Sequence, residues 1–161
     1  MAHLKLVALS VILAFLLSCS VIQTTAAQEA ALVDTVGVVV ACCSQCGMTT
    51  FGYIATKICG PNGCCYTSHL GNVFDDCGAY TFGGAGIGDC DGFDIGPIDD
   101  SNVQVGLYHG GTDGAQIDSI KFQVVNPNNT AVVQTAECFF ENVFLDGTSF
   151  IVSEPGDCIV F

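Results

Sequence analysis

The chain has 161 residues, half of them hydrophobic, and carries sixteen acidic side chains against three basic ones, for a formal net charge of −13. It has no arginine and no tryptophan. Such a surface repels nucleic acid, heparin-like polymers and anionic lipid, and it excludes cationic membrane lysis, because all of these need a positive face. It suits divalent cations, basic proteins or plain solubility, and most of the carboxylates are expected on a solvated surface.

The first element is a leader. Met1–Lys5 holds one of the three basic residues, and Leu6–Leu17 is apolar throughout except for Ser10. That run is too short to span a membrane and has the length of a signal-peptide core. Thr25 and Ala27 flank Ala26 in a small-x-small pattern, so residues 1–27 are expected to be a signal peptide and the mature protein to be secreted from Gln28 onward. A second reading takes Leu16-Leu17-Ser18-Cys19 as a bacterial lipobox; heavy disulfide use and the cleaner site at Ala27 weigh against it. Either way Cys19 leaves the set of pairing cysteines.

Ten cysteines remain: Cys42, Cys43, Cys46, Cys59, Cys64, Cys65, Cys77, Cys90, Cys138 and Cys158. An even set in an exported chain pairs by default. Connectivity does not follow from spacing. The neighbours Cys42-Cys43 and Cys64-Cys65 are expected not to bond to each other, because adjacent strand residues point to opposite faces; each should tie two different elements. The mature chain reads as one domain helped by crosslinks worth about 2–4 kcal/mol each. It divides into an N-terminal Cys-containing segment, 28–48, and a β-sandwich domain, 49–161.

No sustained helical period follows the leader, and nineteen glycines punctuate the chain. Ala31–Ala41, rich in valine, fits either a leading strand or a tail hinged ahead of Cys42. Short strands fit Tyr53–Cys59, Cys64–Thr67, Ala79–Phe82 and Gly92–Ile95. Val103, Val105, Leu107 and His109 then alternate with Gln104, Gly106 and Tyr108, and Ile120, Phe122 and Val124 alternate with Lys121 and Gln123. Between them Gly110-Gly111-Thr112-Asp113-Gly114 can supply positive φ angles, so these two runs are expected to form a hairpin with the apolar sets inward. Asn126–Thr130 is a turn by composition, and its Asn128-Asn129-Thr130 triplet is an N-glycosylation acceptor at Asn128. Ala131–Cys138, Phe139–Leu145 and Ser149–Val152 complete the strands. The whole reads as all-β, an antiparallel sandwich.

From about Phe74 to Cys138 the order of elements resembles the second half of a PLAT domain, the β-sandwich appended to lipoxygenases, some lipases and polycystins. Phe74–Phe82 is similar to that family's Phe-x-x-Gly-x-x-x-Phe stretch with one extra residue. Ile87-Gly88-Asp89-Cys90 sits at its Leu-Gly turn, Val105–Asp113 resembles its strand ending in His, and Ala115–Ile120 falls on its Trp-x-Leu-Asp-x-Val strand with Ala115 in place of tryptophan. The resemblance implies a PLAT-like fold, and a shared fold leaves function open. The chain also resembles the small secreted, developmentally regulated vdg-type proteins of molluscs, through Cys43–Cys46, Cys64-Cys65-Tyr66-Thr67 and Gly88-Asp89-Cys90. That likeness implies secretion and no particular activity.

Candidate chemistry is sparse. Cys43-Ser44-Gln45-Cys46 lacks the second Cys-x-x-Cys a zinc ribbon needs and the helix a redox motif needs, so disulfides are expected there. Asp89, Asp91 and Asp94 surround a glycine turn, and Asp75-Asp76 and Asp99-Asp100 add doublets; hard oxygen donors on such turns suit calcium, although solvated acidic turns are the more frequent outcome. No Gly-x-Ser-x-Gly elbow is present, Ser68 and His69 should point apart, and a meeting of His109 with Asp113 would lack a nucleophile and pocket. The expectation is a secreted, non-enzymatic extracellular binding or matrix module without a cofactor, calcium aside, whose partner is an extracellular protein or a glycan. An acidic calcium- or mineral-associated matrix protein and a lectin-like defence protein are the alternatives. Membrane binding is disfavoured, because membrane-contacting loops rely on exposed aromatic and basic residues.

Overall fold

A computed structural model describes residues 30–40, 52–70, 79–140, 143–154 and 156–161. The expected signal peptide, residues 1–27, as well as Cys42, Cys43, Cys46 and Cys77 and the Phe74–Gly78 and Asp75-Asp76 stretches, lie outside these residues.

Among the described residues ten strands form two antiparallel sheets. The strands are β1 Leu32–Val40, β2 Tyr53–Gly60, β3 Gly63–Tyr66, β4 Ala79–Gly83, β5 Gln104–Gly110, β6 Gly114–Val125, β7 Val132–Phe139, β8 Phe144–Asp146, β9 Ser149–Val152 and β10 Cys158–Val160. One sheet runs β10-β7-β6-β1-β4, with β8 pairing the start of β6; the other runs β3-β2-β5-β9. Alternation sorts the side chains. Val33 and Val36 of β1, Ile54 and Ile58 of β2, Val105 and Leu107 of β5, Ile120, Phe122 and Val124 of β6 and Ala136 of β7 are all buried in one hydrophobic cluster, which joins the two sheets. The inward set expected for β5 and β6 is therefore observed, with Lys121 exposed.

The expected hairpin between those strands is not. β5 pairs with β2 and β9, whereas β6 pairs with β1, β7 and β8, so residues 111–113 carry the chain from one sheet to the other. Period two identifies the buried face of a strand and is silent on its neighbour. The glycines at this crossing also differ in purpose from the expectation. Among the described glycines outside the 3-10 stretch, positive φ occurs at Gly63, Gly92, Gly96, Gly147 and Gly156, and not at Gly110, Gly111 or Gly114. Those three lack side chains because neighbours occupy the space: a Cβ on Gly110 would strike the Tyr53 ring, one on Gly111 would lie 2.8 Å from Gly52 Cα, and one on Gly114 would strike Phe144.

Three further boundaries change. Gly92–Ile95 is not a strand, because Gly92 and Gly96 take φ of +67° and +76° and leave only an isolated bridge between Asp94 and Leu32. Phe139–Leu145 is not continuous: β7 ends at Phe139, Val143 N–H closes a turn onto the Phe140 carbonyl, and only Phe144–Asp146 resumes pairing. Leu32–Val40 is a strand and not a tail, held between β6 and β4 in the middle of its sheet. The stretch Gly84–Cys90 forms 3-10 turns broken at Gly88, whose φ of +64° and close approach to the Ser68 backbone both require glycine.

Three disulfides lie in the described residues: Cys59–Cys64 within the β2-β3 hairpin, Cys65–Cys90 from β3 to the 3-10 turns, and Cys138–Cys158 from β7 to β10. Cys64 and Cys65 thus bond to different partners, as their opposite facing demands.

Candidate aromatic face

β2, β3, β5 and β9 contain no aspartate or glutamate, in a chain that has sixteen. Their inward residues form the core, so the other parity makes the outer face. On it the cross-strand register sets Tyr66 beside Lys57 and Lys57 beside Gly106, then Gly106 beside Val152, Ala55 beside Tyr108 and Tyr108 beside Phe150, with Tyr53 beside Gly110. Three of the chain's four tyrosines therefore share one surface. Tyr66 and Phe150 are each 55% exposed.

Glycine on β5 shapes this face. Gly106, Tyr108 and Gly110 alternate as small, large, small along the outward side of the strand. The Phe150 ring sits over Gly106, where a Cβ would come within 2.9 Å of two ring carbons, and the Tyr53 ring covers Gly110. Both rings can recline on the sheet only because those positions have no side chain, with Tyr108 between them. Beyond β3 the chain continues along β2 through Thr67 N–H to the Thr56 carbonyl and Leu70 N–H to the Ile54 carbonyl. This places His69 on Tyr53, ring centroids 3.6 Å apart and 19° from parallel. Tyr53 and Tyr108 follow at 5.7 Å and 39°. A hydrogen bond with the Tyr108 side chain, aided by burial, raises the Tyr53 phenol above its ordinary range. Lys57 Nζ lies 5.8 Å from the centroid of Tyr66, within cation–π reach.

Two open depressions of about 520 and 350 Å³ cross this face. They share Ala55, Thr67 and Tyr108, so they form one shallow trough. A larger hollow of about 640 Å³ lies at the rim near β7, β9 and β10, where Phe139, Phe140 and Ile151 mix with Glu154 and Asp157.

The residues singled out from sequence occupy other places. Asp89 and Asp91 are exposed, and Asp94 Oδ1 accepts the Ala31 N–H at 3.1 Å and the Gly96 N–H at 2.9 Å. Among the described residues no group of three or more His, Cys, Asp or Glu side chains is placed to hold a metal. Asp94 braces a turn, tying it to the start of β1. Asp99 does the same locally: hydrogen bonds from Ser101, side chain first and backbone second, lower its pKa. Ser68 and His69 diverge, Ser68 Oγ reaching the Gly86 carbonyl while His69 stacks on Tyr53.

His109 is fully buried, with Nδ1 2.6 Å from the Gly147 carbonyl and Nε2 3.8 Å from Asp113 Oδ1. A carbonyl only accepts, so Nδ1 carries the proton. Gly147 N–H in turn donates to the Asp113 carbonyl, so these groups pin the crossing between the sheets. Asn128 stands exposed in the β6-β7 turn, where its N–H donates to the Asn126 side chain.

In the sequence this face shows only as Gly106-x-Tyr108-x-Gly110, the outward parity of a strand whose inward parity carries the apolar alternation. The chain matches no known family, no curated protein and no solved structure in the comparisons made.

Proposed function

We propose that the protein is a secreted, non-enzymatic binding module of the extracellular space, with residues 1–27 removed as a leader and the two sheets stacked as a PLAT-like β-sandwich, and that it engages its partner through the outer face of β3-β2-β5-β9. The single observation that carries this is the acid-free aromatic surface in a chain of net charge −13. Exposed aromatic rings gain little for folding and are enriched where a partner covers them. Disulfides joining buried Cys65 to Cys90 and Cys138 to Cys158 support an oxidising compartment. Among the described residues no helix is long and apolar enough to cross a membrane. Asn128 lies on a turn of the other sheet, so a glycan there would leave the face clear.

The test is a binding screen on oxidised protein against glycans, extracellular peptides and neutral or anionic vesicles, run in parallel with a Tyr66→Ser/Phe150→Ser double variant. The reading expects at least one ligand that binds the wild type and not the variant. Ligands that bind both equally would place the site elsewhere.

A further inference from the structure

The aromatic face also limits what can occupy it. We propose that it binds neutral pyranose oligosaccharides, with C–H faces of the sugar rings stacking on Tyr66, Tyr108 and Phe150 and sugar hydroxyls hydrogen-bonding to Lys57 and the phenol oxygens; the proposal rests on the binding-module reading above. Charge gives the first constraint. A polyanion would be repelled by the net charge of −13, and a cation would find no carboxylate on any of the four strands. The fitting partner is uncharged.

Polarity gives the second. A lipid tail or an apolar helix would cover the Tyr66 phenol and the Lys57 ammonium without offering either a hydrogen bond, which is costly. Sugar rings are amphipathic in the same sense as tyrosine, apolar on a face and polar at the edge, so both surfaces are satisfied together. A second copy of this chain fits less well, since both sides of such a contact would bring a Lys57 ammonium and neither would bring a carboxylate from these strands to meet it. Shape gives the third. Proline-rich helices dock between upstanding aromatic ridges, whereas here Phe150 and Tyr53 recline over Gly106 and Gly110 and leave a flat, open trough.

The chain has no tryptophan, and three of its four tyrosines lie on the face, so intrinsic tyrosine fluorescence reports on it directly. Oxidised protein is titrated with cello-, chito-, manno- and galacto-hexaose and, separately, with a proline-rich peptide. At least one hexaose should change the fluorescence saturably, Tyr66→Ala and Phe150→Ala should each weaken that binding about tenfold, and Glu137→Gln on the opposite sheet should leave it unchanged. Saturation by the peptide alone, lost in the same variants, would overturn the sugar assignment and leave the binding module standing. Self-association abolished by Phe150→Ala would overturn the sugar assignment in favour of a homotypic contact. Silence from every ligand, with no self-association, would overturn the sugar assignment and count against the binding module as well.

Discussion

The two outer faces of this molecule are built from the same kind of strand and finished in opposite ways. On the β10-β7-β6-β1-β4 sheet, outward positions mix exposed apolar side chains, Val133, Phe144 and Ile159, with polar ones bonded to one another: Ser119 Oγ donates to Glu137 Oε1 at 2.7 Å, and Lys121 Nζ stands 3.7 Å from Glu137 Oε2. Carboxylates recur along that sheet, Asp34 on β1, Asp118 on β6, Glu137 on β7 and Asp146 on β8, beside the cation Lys121 of β6. On the β3-β2-β5-β9 sheet carboxylates are missing and aromatic rings replace them. What distinguishes the two faces is therefore the absence of carboxylates from the four strands β3, β2, β5 and β9, and it is on that face that the proposal puts the partner.

The largest effects should come from the staples, which separate the faces cleanly. Cys65–Cys90 closes a loop of sequence separation 25 and anchors the edge strand that carries Tyr66; Cys138–Cys158 closes one of 20 and anchors the edge of the polar sheet. Loops of this size give about 3 kcal/mol each, so replacing either pair by alanine should lower stability in denaturant unfolding by a similar amount. Ligand binding should suffer only in the Cys65→Ala/Cys90→Ala variant. Equal loss of binding in both variants would break the distinction between faces.

Single side chains come next. Phe150→Ala and Tyr66→Ala remove rings that are more than half exposed, and should cost no more than about 1 kcal/mol of stability. Lys121→Ala breaks a surface ion pair worth about 0–1 kcal/mol. On unfolding curves the two faces should look alike; binding should tell them apart. A loss of several kcal/mol at Phe150 would mean that the ring belongs to the fold and is not held for a partner.

The smallest effect is a titration. The hydrogen bond with Tyr108 favours the neutral Tyr53 phenol, so its contribution is complete below the ordinary tyrosine value of 10.0 and is lost as pH rises through the higher folded value. Phenolate absorbance should show Tyr53 ionising above its ordinary value, and Tyr108→Phe should bring it down. A Tyr53 that titrates at the ordinary value would separate the two rings and loosen the platform.

How much of this was readable from the chain depends on what a pattern of two can say. Val105, Leu107, Ile120, Phe122 and Val124 alternate clearly enough to be placed inward, and they are. Their hairpin was misread because alternation carries no information about which strand lies alongside, and because the Gly110–Gly114 cluster, suited to a tight turn, is required instead by Tyr53, Gly52 and Phe144 crowding from strands distant in sequence. β10 escaped notice because three residues, Cys158–Val160, are too few for a period; the disulfide to Cys138 and pairing with β7 define it. For Asp94 composition registers charge and not direction, and only the fold turns its carboxylate onto the Ala31 and Gly96 N–H groups. The aromatic face lay in the complementary parity of strands already identified. Gly106, Tyr108 and Gly110 were visible, but Tyr66 and Phe150 join them only through cross-strand pairing.

The central claim is that partner contact is confined to the β3-β2-β5-β9 outer face, and backbone amide shift mapping during titration with the strongest binder from the screen tests it most directly. The account predicts shifts centred on Tyr53, Lys57, Tyr66, Tyr108 and Phe150, with Lys121, Gln123, Thr135 and Glu137 unmoved. Shifts centred on those last four residues, or on the hollow lined by Phe139, Glu154 and Asp157, would contradict it.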